Sequence, residues 1–378
     1  MANERLRPIS NDSGLFTNGL TEQLQAVHDA VHLRYPSVDR IALATYSAQT
    51  DTLNTFVSSN SDGELLNHYK ATLSEVPSLK KLVESRQSRV IDDIPSTFTS
   101  PSAHSDWLKT HQYRSSLTVP IFRGESLAAI LFFDSKSIAA FDLETTAFLE
   151  IFANLISKLY LLQLQVANNL VGSVHIASSL AQIRDLETGR HLERMAAYSR
   201  LMGEKLAVSH NLSDELIEYI YLFAPLHDIG KVGIPDKILL KPGKLDADEY
   251  AIMKRHVEIG ETIAVQMGQD LCNGNPLAFQ VMQNIIAGHH ERGDGSGYPR
   301  GLTMSQIPIE ARIVAVADVY DALSNARPYK KAWTEEEIKQ EFTKELALGK
   351  LDEACIDALM NANTERQAIQ QLFGELIT

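Results

Sequence analysis

The rhythm of apolar and polar positions changes twice along the chain. Between Gly19 and about Leu143 the runs are short. GLTEQLQAVHDAVHLRY has the spacing of a helix, and it leads into RIALATYS and LNTFVSS, whose apolar and small positions suit a partly buried sheet. SRVIDDI, SSLTVPIF and SLAAILFFDS predict further strands, the last two joined by the short turn Arg123-Gly124-Glu125. PSLKKLVESR and SAHSDWLKTH read as short helices over one face. The pattern predicts an α+β sheet domain over 19–143, preceded by a flexible N-terminus at 1–18.

From Phe141 to about Asp185 the period turns helical and no proline interrupts it, so 144–185 is predicted to be a connecting helical stalk. Phe148, Phe152, Leu155, Leu159, Leu162 and Val166 step by four and three, and Asn169 continues the seam as one polar residue that would fix register in a parallel pair. The seam predicts a homodimer, although its first two turns also suit packing on the sheet domain itself. Residues 186–378 then read as an all-α bundle. Asp246 with Glu249, and Thr334 with Glu337, have the spacing of capping boxes that open helices.

The 378 residues, 44% of them hydrophobic, are enough for two cores. A net charge of −13 argues against nonspecific binding to nucleic acid or to an anionic membrane. An anionic substrate must therefore be drawn by local positive charge. MANERLRPISNDSG lacks the apolar core of an export signal, and no run of about 18 apolar residues is evident. With only Cys272 and Cys355 in the chain, a reducing cytoplasm is the expected location.

Candidate chemistry centres on LFAPLHDIGKVGIP, Leu222 to Pro235. The apolar run before it predicts a buried helix that stops at Gly230 and presents His227 and Asp228 at the rim of a core. An imidazole beside a carboxylate whose two oxygens can each hold a cation is how a two-metal site is built. Lys231 would be repelled by such cations unless an anion such as phosphate came between them. Taken alone, a His-Asp pair is more often a buried histidine satisfied by its neighbour. More residues of the same type follow, however. Glu187 and His191 stand at i and i+4, His256 lies in DADEYAIMKRHVEIGETI, His289 and His290 end PLAFQVMQNIIAGHH, and Asp318 interrupts an apolar helix face in IPIEARIVAVADVYDAL. Neither cysteine belongs to this set, so a structural tetrahedral thiolate zinc is not expected, and mixed imidazole and carboxylate suits iron, manganese or another divalent transition ion. Eight side chains fit two ions, or three with bridging carboxylates, and a site of that kind points to hydrolysis of a phosphate ester.

The segment from about Glu187 to Trp333 resembles the HD-GYP domain, a bacterial branch of the HD phosphohydrolases, in HDIGK, in HHERGDGSGYP at 289–299 and in RPYKKA at 327–332. The resemblance implies a metal-dependent phosphodiesterase that cleaves cyclic di-GMP to pGpG and on to GMP. It implies His191, His227, Asp228, His256, His289, His290 and Asp318 as metal ligands, with Glu187 as the additional acid of members that hold a third metal. Asp228 and Lys231 would then be catalytic, a bridging hydroxide attacking phosphorus. Lys231, Arg327 and Lys330 would contact phosphate beside the signature loop Gly297-Tyr298-Pro299. Gly293, Gly295 and Gly297 in that loop permit positive φ or close backbone approach, and Tyr298 can stack on a base or donate to a phosphate. Gly293 stands where a bulky residue is common in the family, which predicts a looser loop or a wider pocket mouth.

TVPIF and AILFFDS resemble a GAF domain, which implies a small-molecule ligand or a dimer module. Trp107, Tyr113 and His104 are candidate pocket residues there, with core packing as the commoner role for such side chains. The rival readings are a cyclic di-GMP sensor or adaptor with little turnover, a hydrolase of another cyclic dinucleotide, and a GAF-centred scaffold.

Overall fold

The computed structural model describes residues 19–61, 68–98, 103–182, 189–271, 275–325 and 331–374. Helix α1 (Leu20–Arg34) precedes strands β1 (Arg40–Ser47), β2 (Thr52–Asn60) and β3 (Lys70–Thr72). Then come α2 (Pro77–Ser85), β4 (Arg89–Ile91), α3 (Ile94–Thr97) and α4 (Ala103–Thr110), and β5 (Ser115–Arg123) with β6 (Ser126–Ser135) completes the sheet. Its six strands run in the order β3-β2-β1-β6-β5-β4, every neighbouring pair antiparallel. The strand β3, three residues long, is too short to show an alternation and was not anticipated.

Period two explains which face each residue takes. In the β1–β6 pair, Ile41 stands opposite Phe133 and Leu43 opposite Leu131, and these point into a core shared with α1 and the long helix that follows. On the other face Ala42 meets Phe132 and Ala44 meets Ile130, small against large, in a second core that includes Leu79 and Leu82 of α2. A slip of one residue would exchange the two sets. Trp107 and Tyr113 stack on one another at 5.6 Å within a third small core with Ile91, Ile94 and Leu108. They fill that core, and the neighbouring cavity is lined instead by Leu79, Arg89, Phe98, Ser116, Thr118 and Phe132 among others. The side chain of His104 lies outside the described residues.

The stalk is a single 40-residue helix, α5 (Leu143–Gln182). Leu149, Ala153, Ile156 and Tyr160 are buried in the sheet-domain core, and Phe148 packs on Tyr35 at 4.9 Å and on Phe152 at 5.1 Å. The seam thus begins as packing on the chain's own sheet domain, as its first turns allow. Leu155 and Leu162 further along are exposed, and the side chains of Val166 and Asn169 lie outside the described residues. By length and composition alone, Leu143–Leu162 would be apolar enough to cross a membrane, an apolar stretch that the sequence reading did not pick out because Glu144, Glu150 and Lys158 interrupt it.

The helical domain contains α6 (Gly189–Leu206), α7 (Asp214–Phe223), α8 (Asp236–Leu239), α9 (Ala247–Lys254), α10 (His256–Leu271), α11 (Pro276–Gly288), α12 (Ile309–Ser324), α13 (Glu335–Ala347), α14 (Glu353–Met360) and α15 (Asn363–Phe373). Both expected capping boxes form, Asp246 with Glu249 on α9 and Thr334 with Glu337 on α13. The bundle core runs on into that of the sheet domain. Phe56 of β2 stands edge-on to Tyr219 of α7 at 6.1 Å, and the imidazole of His68 lies 2.6 Å from the Asp214 carboxylate.

Candidate metal centre

Pro225 has no N–H to continue a helix, and α7 accordingly ends at Phe223. Two 3-10 turns follow, Ala224–Leu226 and Ile229–Gly233, so His227 and Asp228 sit between tight turns and not on a helix reaching Gly230. The turns are pressed against α10. A Cβ on Gly230 would stand 1.8 Å from the His256 carbonyl oxygen and 2.5 Å from the Gly260 nitrogen, so only glycine lets the turn approach. That approach brings His256, the first residue of α10, next to Asp228.

The described ligand candidates gather into two adjoining groups. His191 from α6, His227 and Asp318 from α12 form one; Asp228, His256, His289 and His290 form the other, and within each group the ligating atoms all lie within 4.8 Å of one another. The groups meet at Asp228. Its Oδ2 is 3.0 Å from His227 Nε2, while its Oδ1 is 3.1 Å from His256 Nε2 and 3.6 Å from His289 Nε2. Glu187, Arg327 and Lys330 lie outside the described residues.

Hydrogen bonding fixes the tautomers. Nδ1 of His227 faces the Ala224 carbonyl at 2.9 Å, Nδ1 of His256 that of Met253 at 2.8 Å, and Nδ1 of His289 that of Ile286 at 3.1 Å. Nδ1 of His191 faces the Asp321 carboxylate at 2.6 Å. An acceptor on that side means that Nδ1 carries the proton, which leaves Nε2 of each neutral ring with a bare lone pair. Nε2 of His191, His256 and His289 and Oδ1 of Asp228 are buried and make no hydrogen bond. Lone pair facing carboxylate oxygen at 3.1 Å is unfavourable in a dry site, and a cation between them reverses the sign. The donors present therefore fit divalent ions. Burial lowers the pKa of both His289 and His290, so both rings are neutral ligand donors near neutral pH. Burial works against ionising Asp228, but the ammonium of Lys231 beside it outweighs that and holds the carboxyl well below its usual range.

Lys231 Nζ lies 2.9 Å from Asp228 Oδ2. Tyr298 stacks on His290 at 4.7 Å and stands edge-on to His256 at 6.3 Å, so the loop closes directly over the second group. Of its glycines only Gly295 has positive φ; a Cβ on Gly297 would stand 2.2 Å from the Arg292 nitrogen, a close approach. The position of Gly293 is not a vacancy. A Cβ there would stand 2.3 Å from Met304 Cε and 2.7 Å from the Gly349 oxygen, because Met304 and the backbone fill the space.

Comparison with known families accounts for both halves. Residues 19–159 match the GAF domain family and residues 175–354 match the HD domain family. The chain joins a GAF domain to an HD domain. It is 46% identical over 199 residues to the cyclic di-GMP phosphodiesterase response regulator RpfG of Xanthomonas campestris pv. campestris, covering 52% of this chain and 48% of that protein. A cyclic di-GMP phosphodiesterase of Thermotoga maritima is 45% identical over 169 residues, 45% of this chain and 43% of its own length. A 3'3'-cGAMP-specific phosphodiesterase 2 of Vibrio cholerae is 46% identical over 169 residues, 45% of this chain and 30% of its own length. The chain thus spans about half or less of the curated relatives it matches.

Two residues of the HD domain that the sequence reading overlooked hold this centre in place. Asp321 is buried, one turn beyond Asp318; its Oδ2 takes His191 Nδ1 at 2.6 Å and Arg194 Nη2 at 3.1 Å, and its Oδ1 takes Arg194 Nε at 2.6 Å. Glu291, next to the histidine pair, accepts the backbone N–H of Arg300 at 2.7 Å and of Leu302 at 2.8 Å, tying down the far end of the Tyr298 loop. The i, i+3 relation of Asp318 and Asp321, on one helix face, was the available signal for the first. Replacing Asp321 with asparagine should weaken metal binding by about 10 to 100-fold, the usual cost of losing a ligand's carboxylate support, measured by manganese titration.

Proposed function

We propose that the chain is a divalent-metal-dependent phosphodiesterase that hydrolyses cyclic di-GMP to pGpG and on to GMP, with the GAF domain regulating it. The observation that carries this reading is the set of imidazole lone pairs turned toward both oxygens of Asp228. His191, His227 and Asp318 would hold one ion, His256, His289 and His290 a second, with Asp228 between them; Glu187 would serve a third. The donor set favours iron, with manganese as the alternative. Bound ions there would neutralise phosphate oxygens and lower the pKa of a water.

The chain's own residues would do the rest. Lys231, beside Asp228 and at the rim, faces a phosphate oxygen once one is present, and Arg327 and Lys330 would join it. Tyr298, held on His290, would support a base or donate to the phosphate, with Gly297 giving its backbone room. Local positive charge would thereby offset the acidic surface of a chain with net charge −13. Exposed Leu155 and Leu162 on α5 support a homodimer through the stalk and GAF domain, in the cytoplasm. A second reading, turnover of 3'3'-cGAMP, is favoured by the Vibrio cholerae relative.

Protein loaded anaerobically with Fe(II) or Mn(II) should convert cyclic di-GMP to linear product, followed by chromatography. Binding without product would instead support the sensor reading. Pre-treatment with a chelator should abolish turnover, and adding Mn(II) should restore it.

A further inference from the structure

Helix α1 of the GAF domain has no side-chain cap of its own. Its first N–H groups, which no helix can satisfy internally, are taken by a carboxylate of the HD domain. Glu215 of α7 is 3% exposed and accepts the Leu20 N–H at 2.6 Å on one oxygen, and the Thr21 N–H at 3.1 Å and Thr21 hydroxyl at 2.6 Å on the other. The chain of bonds continues inward. Tyr219, one turn along α7, donates its hydroxyl to Glu215 at 3.0 Å, and Asn275 Nδ2 donates to the Tyr219 oxygen at 2.5 Å. Asn275 Oδ1 accepts the Ala278 N–H at 2.9 Å and so caps α11, the helix whose other end delivers His289 and His290. Tyr219 and Asn275 are buried as well, so the three side chains of the series lack water as a substitute partner.

We infer that Glu215, Tyr219 and Asn275 are positioning residues that seat the His289–His290 helix and make its seat depend on the first helix of the GAF domain. A GAF ligand that tilts α1 would then loosen α11 through directional hydrogen bonds. The consequence for metal affinity rests on the ligand set proposed above; the coupling between domains does not.

The test uses the full chain, amide hydrogen exchange, and two mild substitutions. Tyr219→Phe removes one hydroxyl in the middle of the series, and Thr21→Val removes one at its GAF end. Both should speed exchange in the first turn of α11, Tyr219→Phe by about tenfold, on the scale of one lost hydrogen bond to a charged group, and Thr21→Val by about threefold. The double variant should exceed Tyr219→Phe by little, because both cut the same series. Thr21→Ser, which keeps the hydroxyl, should match the parent. The half-saturating manganese concentration should rise in the same order. Unchanged exchange at α11 in Thr21→Val, or independent multiplication of the two effects, would overturn the inference. Coupled exchange in a protein that binds no manganese would leave it standing and remove the metal reading instead.

Discussion

Replacing Asp228 with asparagine is expected to abolish metal binding at both groups and to lower turnover by about 10³-fold or more, the scale on which removal of a single preorganised electrostatic group acts. The amide has the shape of the carboxylate but lacks its charge, and one of its two terminal atoms becomes a donor. That donor would cap the lone pair of His256 or His227, which lie 3.1 and 3.0 Å from the present oxygens. The metal-free variant gains that hydrogen bond but loses the ion pair with Lys231 at 2.9 Å, so the two changes oppose one another. Saturating metal separates the two proteins. At about 100 times its dissociation constant an ion would stabilise the parent by about 2.7 kcal/mol and the variant by nothing. Thermal melts with and without Mn(II) read that difference directly, and parallel gains in both proteins would contradict it.

Gly230→Ala is expected to be the most damaging single methyl in the HD domain. Its Cβ would meet backbone at 1.8 and 2.5 Å, and backbone of α10 cannot turn aside as a side chain can. Overpacking of this kind typically costs about 1–3 kcal/mol, and with main chain as the obstacle we expect the upper end or beyond. For a domain of this size that lowers the unfolding temperature by roughly 6–12 °C. Because the displaced element begins with His256, manganese binding should weaken in parallel. Gly124→Ala is the control. Unlike Gly230 it sits at positive φ, and it faces open space, so only the backbone term of about 1 kcal/mol applies, with no effect on metal.

These two residues differ in how visible they were. His227, Asp228, His289, His290 and Asp318 could be picked out because each ends or interrupts an apolar run, and a buried polar residue needs a partner; His256 was legible only as a histidine in a helical stretch. The need for glycine at 230 could not be picked out, since it arises from the His256 carbonyl 26 positions away. Pro225 did carry the signal that the helix stops early, and the weight given to the apolar run YIYLFAPL concealed it. Asp321 was hidden because two acids three apart share a helix face, and sequence does not say which faces the metal and which its ligand. The sheet was legible where alternation had room, as in RIALATYS and SLAAILFFDS, and illegible at β3. The contacts of Glu215 with Leu20 and Thr21 belong to the same class, since nothing periodic links residues nearly two hundred positions apart. Gly293 is the reverse case. The missing bulky side chain suggested a void, and Met304 occupies that space.

The central claim is that the imidazole lone pairs around Asp228 hold two cations. Anomalous scattering from crystals of the full chain loaded with Mn(II) tests it most directly. The account predicts at least two peaks about 3.5–4 Å apart, one on each side of the Asp228 carboxylate. A single peak, or peaks remote from Asp228, would contradict it.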